Sequence, residues 1–324
     1  MKIKIEELRK KIENVLTSTH YTQEQAKDIA DVLIYAELTG KNTQGLLKLS
    51  GTEPIQDIKP QYEPKVIKET KLSALIDGGA NPGILVSKIA TRLAIEKCST
   101  SGFSIIGTNN TFSSTGVLGY YATKMTEKDF IGIVMASPPG SVPPFGGIEP
   151  LLGTNPIAFG FPTKEWPIIF DMATSAITWY GLVRAKALGQ KIPSGLAIDS
   201  KGNLTTDPVE AMEGAILPFE KGYKGSGLSL VVEIMAGALV EAIFPGSEEK
   251  GWGTLFIAID PNLLTTTEKF KENSSLLIKT LKNSKKAKGH DTIHIPGWQG
   301  FEKKEKSEKT GVLEIEEEVI KVLA

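Results

Sequence analysis

The sequence is poor in cysteine, histidine and arginine, and each shortage excludes something. One cysteine, Cys98, stands in 324 residues, so neither an intrachain disulfide nor a cysteine-based metal cluster can form. The three histidines, His20, His290 and His294, occur in no H-E-x-x-H or other zinc-like spacing. His290 and His294 in HDTIHIPG could share a metal only on a helix, and Ile293, Ile295 and Pro296 make that segment read as extended; no metal is expected. Arginine is limited to Arg9, Arg92 and Arg184, which leaves few guanidinium forks to grip a substrate carboxylate. Positive charge is not in excess either: 37 Lys+Arg face 38 Asp+Glu, so neither nucleic acid nor an anionic membrane is an expected partner. The start, MKIKIEELRKK, lacks the apolar core of a signal peptide. No apolar run reaches about 18 residues free of charge, so no membrane span is expected, and the default location is the cytoplasm. Of 32 glycines none forms G-x-G-x-x-G, and no Walker A sequence occurs.

What is present is material for a large core. The length suits two domains, or one large α/β unit with a satellite, and 40% of residues are hydrophobic. The first 40 residues read as two helices. The second opens on a capping box, Thr22 with Gln25, repeats Ala26, Ile29, Ala30, Leu33 and Ala36 at helical spacing, and stops at Gly40. From residue 72 strands and helices alternate. LSALID, FSIIGT (103–108), FIGIVMAS (130–137), PIAFGFP, PIIFD and LFIAID (255–260) read as strands. ILVSKIATRLAIEKC and the segment around GVLGYYATKM read as helices. Such interleaving argues for an α/β or α+β sheet. The runs at 156–161 and 168–171 are too close for a crossover helix, so part of the sheet is expected to be antiparallel. Residues 273–287 read as a helix ending in a solvated lysine run, and EIEEEVIKVLA as a short terminal helix able to pack on the first two.

Three segments can carry chemistry. KGYKGSGLSLVVEIMAGALVEAIF (221–244) is a glycine- and lysine-rich loop feeding a helix that is apolar almost all round, which predicts a buried helix. Its N-terminus with Lys221 and Lys224 is either an anion site or a tight turn with solvated lysines. PPGSVPPFGGIEPLLGTNP (138–156) is either a stiff corner or a pocket wall. IIFDMATS (168–175) puts Asp171 at a strand end, where it either caps the next helix or faces a site. A fourth, TGKNTQGLLK (39–48), is a small polar loop of the kind that carries sites.

The run LLGTNPIAFGFP, IIFDMATS, IPSGLAIDSKGNLTTDP and LPFEKGYKGSGLSLVVEIMAGAL, in that order, resembles the malate/L-lactate dehydrogenase family that lacks a Rossmann fold, whose relatives include sulfolactate, ureidoglycolate and 2,3-diketogulonate dehydrogenases. The resemblance spans about residues 3 to 320. It implies a non-Rossmann α/β fold, a mixed, largely antiparallel sheet with helices packed on it (72–264), plus a helical domain built from both chain ends (1–71 and 265–324). It implies NAD or NADP as cofactor, a small 2-oxo or 2-hydroxy acid as substrate, and a homodimer with its active site near the subunit boundary. Cofactor contacts carry over to Ile169, Phe170, Asp171, Met172, Ala173, Thr174 and Ser175, to Tyr223, Lys224 and Gly225, and to Gly297, Trp298 and Gln299. Ser137 and Thr154 are expected on the same pocket.

The loop at 39–48 departs from the family. Where the family has Ser-His-Gly and then arginine, this chain has Thr43, Gln44, Gly45 and Lys48. Ser114 holds the approximate place of a second family histidine, and Thr43, Ser114 and Tyr120 are the expected substrate contacts. Gln44, Lys48 and Asp171 are the expected catalytic positions. A glutamine can hydrogen-bond a carbonyl oxygen but cannot protonate it, and losing a general acid lowers a rate by about 10²–10⁴. Lys48, Lys224, Tyr120 and Tyr223 are the titratable candidates for the proton. The expected function is an NAD(P)-dependent oxidoreductase interconverting a 2-oxo and a 2-hydroxy acid. The alternatives are a cofactor-binding member impaired in catalysis that serves as a binding or regulatory protein, and an enzyme of another reaction class on the same scaffold.

Overall fold

A computed structural model describes residues 1–50, 52–249 and 251–320, with the side chains of Lys221 and Glu318 outside the described residues. The chain opens with strand β1 (Lys2–Lys4), helix α1 (Ile5–Thr17) and helix α2 (Gln23–Leu38). The capping box that starts α2 is formed: Gln25 N–H donates to Thr22 Oγ1 at 3.2 Å, and Thr22 N–H donates to Gln25 Oε1 at 2.9 Å. Gly40 takes φ +74° just past its end, as a helix stop requires.

Strands β2 (Lys65–Glu69) and β3 (Ser73–Asp77) precede helix α3 (Gly83–Ser101), strand β4 (Phe103–Thr111) and helix α4 (Leu118–Thr126). Strands β5 (Ile131–Ser137), β6 (Ile157–Phe161) and β7 (Ile168–Met172) follow, then helix α5 (Trp179–Ala187). Short strands β8 (Ala197–Ile198), β9 (Leu204–Thr205) and β10 (Ala215–Ile216) enclose helix α6 (Pro208–Glu213). Helix α7 (Tyr223–Ala236), strand β11 (Trp252–Ile259), helices α8 (Thr267–Lys282) and α9 (Trp298–Thr310), strand β12 (Val312–Glu314) and helix α10 (Glu317–Ile320) complete the described chain. Seven strands form the main sheet in the order β2-β3-β4-β11-β5-β6-β7. Only the β3–β4 pair in it is parallel, and α3 is the crossover that a parallel pair needs. The expected mixed, largely antiparallel sheet is therefore present.

Side chains of β11 alternate between two layers, as a strand buried on both faces must. Phe256 and Ala258 join the large core under α1 to α4, where Phe256 meets Tyr121 edge-on at 5.8 Å. Leu255 joins a second core with Val232 and Ala236 of α7. Gly253 lets the C-terminal end of α7 close on the strand: a Cβ there would overlap the Ala236 carbonyl. A third, smaller core lies among α5, α6 and β8 to β10.

Two expectations are corrected. The segment at 221–244 is neither one long helix nor buried: α7 ends at Ala236, and Leu230, Val231 and Ile234 are about half exposed. Apolar residues all round do not say which side is covered; Ser229, Val232, Glu233 and Ala236 are buried, with Leu228 and Met235 packed beside them. Tyr223–Val240 is long and apolar enough to cross a bilayer by length and composition, but it carries Lys224 and Glu233, and Glu233 is hydrogen-bonded inside the protein to Ser137 and Asn155. The terminal EIEEEVIKVLA does not begin as a helix, and Glu317–Ile320 is the helical part among the described residues. Leu313 and Glu314 belong to β12, which pairs antiparallel with β1; residues 321–324 lie outside the described residues. Both chain ends meet, and α9 packs on α2, but α8 leans instead on the β6–β7 connection through Lys164 with Glu268 and Glu272. The large core runs unbroken from α1 and α2 through α3 and α4 into the sheet.

Phe256 is fully buried at the centre of this arrangement. Phe256→Ala is expected to lower unfolding free energy by about 3–5 kcal/mol, read from urea denaturation; a loss under about 1 kcal/mol would mean that the cavity collapses without penalty.

Candidate functional site

The expected catalytic loop folds into two 3₁₀ turns, Asn42–Gln44 and Leu46–Leu49. Their joint is held from behind. Glu37, buried on α2, accepts the Leu46 N–H at 2.8 Å. Gly45 is required there, because a Cβ would overlap the Glu37 carboxyl. Burial pushes the Glu37 carboxyl up to about 7, with the Leu46 N–H opposing and the charge of Glu316 adding to the rise. This arrangement turns Thr43, Gln44 and Lys48 toward one cavity of about 460 Å³, a size typical of small-molecule sites.

The opposite wall comes from the far edge of the sheet. Asp171, Met172 and Ala173, at the end of β7, line the cavity, with Thr154 and the start of the Pro/Gly loop at 138–141. Asp171 does cap a helix, though not the next one. Its Oδ2 accepts the Gly119 N–H at 2.8 Å at the start of α4, while Thr178 caps α5. Burial raises the Asp171 carboxyl; the charge of Lys41 and the Gly119 N–H oppose it. Ser114 lines the cavity and is turned onto its own loop, accepting the Gly116 N–H at 3.0 Å.

Lys48 has an unusual environment for an ammonium. It is 2% exposed, its Nζ sits 3.2 Å from the centroid of the Tyr180 ring, and among the described residues no carboxylate oxygen lies within 4.0 Å of it. Burial holds its pKa well below the usual lysine range, with Glu53 on the cavity rim opposing. The Tyr180 hydroxyl is itself buried without a hydrogen-bond partner among the described residues, and burial pushes it up to about 12.

Several expected residues are elsewhere. Tyr120 does not line this cavity; it is buried between Tyr35 and Tyr121, with Lys88 and Lys124 over its ring. Ser137 is buried under the cavity wall and donates to Glu233 at 3.0 Å. Ile169 is buried, Phe170 is exposed, and Thr174 and Ser175 are buried and bonded to Thr154 and Ile177 carbonyls. Tyr223 lines a second, mostly apolar cavity of about 550 Å³ on the far side of the Pro/Gly loop. Lys224 is exposed and Gly225 buried beside it at the start of α7; the Lys221 side chain lies outside the described residues. Gly297 packs on the Ile169 backbone, Trp298 meets Trp166 at 5.6 Å, and Gln299 contacts His294 Nδ1 at 2.9 Å. The Pro/Gly loop is thus both corner and wall. Among the described residues no group of three or more His, Cys, Asp and Glu side chains is placed to hold a metal.

The site also contains residues that no motif pointed to. Lys41, exposed at the mouth, donates to the Asp171 carbonyl at 3.2 Å. Trp179, Tyr180 and Trp252 give the cavity an aromatic lining. The capping residue Thr178 was the one available signal, since it marks a helix whose first turn must start at that wall.

Comparison with known proteins identifies the family. The family model described as malate/L-lactate dehydrogenase matches residues 3–324. The malate/(S)-sulfolactate dehydrogenase of Methanothermus fervidus is 38% identical, over 100% of this chain and 96% of the relative. The ureidoglycolate dehydrogenase (NAD(+)) of Escherichia coli is 30% identical over 96% and 92%. The crystal structure of malate dehydrogenase from Entamoeba histolytica superposes with a TM-score of 0.90 at 29% identity, covering 100% of this chain and 96% of that one.

Glu37 makes the site's turn sensitive to pH. A carboxyl whose ordinary value of 4.5 rises to about 7 on folding keeps a proton that the unfolded chain has lost. Stability therefore falls as pH climbs from that ordinary value through neutrality, by on the order of 3 kcal/mol. Glu37→Gln keeps the acceptor for Leu46 and is expected to flatten this fall. Urea midpoints at about pH 5 and pH 8 measure it; wild type and variant losing stability in parallel would assign the pH dependence to another group.

Proposed function

The chain belongs to the malate/L-lactate dehydrogenase family, and on that premise we propose that it is an NAD(P)-dependent oxidoreductase interconverting a small 2-oxo acid and its 2-hydroxy acid. The observation that carries this reading is the meeting of two segments distant in sequence. The turn with Gln44 and Lys48 faces the strand end with Asp171, Met172 and Ala173 across one cavity. Its exposed lining is apolar for the most part, with polar groups on the turn and on the facing walls, which suits a planar ring beside a small anion. The orphaned Tyr180 hydroxyl on that wall is consistent with a ligand there.

Met172, Ala173, Thr154 and the 138–141 wall would hold the nicotinamide end of the cofactor. The segments at 223–225 and 297–299 are kept as expected contacts for the rest of it. When bound, the cofactor supplies or accepts the hydride. The residues of this chain do the remainder. Gln44 can orient the substrate oxygen by hydrogen bonding. Lys41 and Lys48 offer positive charge to a carboxylate, in place of the arginine fork that the cavity lacks. The aromatic wall excludes water, which strengthens each of these contacts. Asp171 is engaged by Gly119 and holds β7 to α4, so its part is to fix the wall rather than to carry a proton. Gln44 also favours a second reading, a cofactor-binding protein without turnover, because it cannot supply the proton that a family histidine would.

NADH or NADPH is expected to bind with a dissociation constant below about 1 mM and to be oxidised on addition of some member of a 2-oxo acid panel, with no effect of chelators. Binding is read by nucleotide fluorescence. Binding without oxidation of either nucleotide by any 2-oxo acid favours the second reading, and absence of binding refutes both.

We further propose a cytoplasmic homodimer, supported by the family and by the exposed apolar stripe of α7. Leu230, Val231 and Ile234 form with Phe145 and Leu151 an apolar area of the sort that a partner covers. Sedimentation at micromolar concentration is expected to give a dimer, and Ile234→Asp a monomer; a monomeric wild type refutes the assembly.

A further inference from the structure

We propose that Lys48 is the acid–base residue of this site, giving its proton to the carbonyl oxygen of the 2-oxo acid during reduction and taking it back from the hydroxyl during oxidation. The inference deepens the dehydrogenase reading and rests on it. The cavity holds few alternatives. Gln44 carries no exchangeable acid proton. Asp171 is bound to Gly119 N–H and lies beside Lys41. The Tyr180 hydroxyl is too weak an acid, pushed up to about 12. Glu53 stands on the exposed rim. Tyr120 and Tyr223 are outside the cavity.

Lys48 has the geometry for the task. Its ammonium lies on the Tyr180 face at 3.2 Å, which fixes its direction, and it lines the same cavity as Gln44, which ends the preceding turn. No carboxylate among the described residues neutralises it. The charged groups packed around the turn are Glu37 on α2, Asp57, Arg184 on α5 and Glu316, with Glu53, Asp171 and Lys41 on the cavity. Arg184 and Glu316 satisfy each other, Glu37 is occupied by Leu46, and of them Glu53 alone acts appreciably on Lys48, in opposition to burial. A desolvated amine of this kind gives up its proton more readily than an ordinary lysine, as an arginine cannot. The arriving anion supplies the negative charge that the site lacks, so anion and proton bind together. Lys41 at the mouth is free to meet the carboxylate, and Lys48 need not serve both.

The step balances. The carbonyl carbon receives a hydride from the reduced nicotinamide dinucleotide, and the C=O π pair forms the new O–H bond with the Lys48 proton. The 2-hydroxy acid and the oxidised dinucleotide leave, and the neutral amine regains a proton from water.

Two measurements test it. With NADH- or NADPH-saturated protein, calorimetry of oxamate binding in buffers of different ionisation heat is expected to show proton uptake above neutral pH in wild type and none in Lys48→Arg or Lys48→Met. With the 2-oxo acid that wild type reduces best, Lys48→Arg is expected to lower kcat by about 10²–10⁴ with KM nearly unchanged, since the cation is kept and only the labile proton is lost. Gln44→His added to Lys48→Arg is expected to regain at least about tenfold, because an imidazole near the oxygen replaces the donor. Lys48→Met, which retains the apolar stem, guards against an arginine that does not fit; circular dichroism checks that each variant folds. Wild-type kcat or undiminished proton uptake in both Lys48 variants would overturn the proposal while leaving the dehydrogenase reading intact. Wild type that oxidises neither nucleotide with any 2-oxo acid removes the reading on which it rests.

Discussion

Strand β11 has to be covered on both faces, and the rest of the structure follows from that constraint. Phe256 and Ala258 on one side and Leu255 on the other are all buried. Covering the first side takes α3 and α4; covering the second takes the short stripe of α7. The cover is local, because a strand buried on both faces needs helices whose apolar residues meet it along its length. Gly253 shows how tight the second layer is: no side chain fits between the strand and the Ala236 carbonyl. With both faces occupied, the loops leaving β5 and β7 are pushed to one end of the sheet. There they meet the turn that follows α2, and the cavity forms where the three come together.

Much of this was legible from local pattern. The capping box at Thr22, the strand runs of the sheet and the crossover helix at 83–101 each carry their signal within a few residues. The pairing of β1 with β12 does not. KIK and VLE are three-residue strands at opposite ends of the chain, and neither has enough alternation to be told from a helix start. The exposed half of α7 is the reverse case, a strong signal with two meanings, since all-round apolarity is met equally by burial in one molecule and by burial between two. In the site, Gln44, Lys48 and Asp171 could be singled out because a resemblance placed them. Lys41 could not, because nothing in the loop 39–48 tells a site lysine from a solvated one. Tyr120 was set on the wrong side because it and Tyr121 are adjacent on a helix, so they point about 100° apart. Which of them faces which side is decided by packing, and both are buried here.

The electrostatics of the turn set two buried titrating groups close in sequence against each other. Glu37 favours its neutral form and Lys48 favours its neutral form, both because burial penalises charge. A direct ion pair would have been the cheaper use of one acid and one base. The chain instead spends Glu37 on a backbone N–H and leaves Lys48 on an aromatic ring. An unpaired buried ammonium lowers stability, and a merely structural lysine gains nothing from that position.

That cost separates a rebuilt site from a decayed one. A pocket drifting without function would tend toward groups that satisfy themselves, and Lys48→Met or Leu would relieve the burial penalty at once. The replacements found here keep chemistry in each place. Gln44 retains hydrogen bonding without charge. Lys48 retains a cation that is compact and able to lose its proton, where arginine would be planar and permanently charged. Lys41, tethered to the Asp171 carbonyl at the mouth, brings a second amine to the same cavity. Under the proposed assignment, three tasks fall to three side chains: Gln44 orients the oxygen, Lys48 exchanges the proton and Lys41 meets the carboxylate. That proposed division would require a substrate short enough for its oxygen and carboxylate to lie between the two lysines.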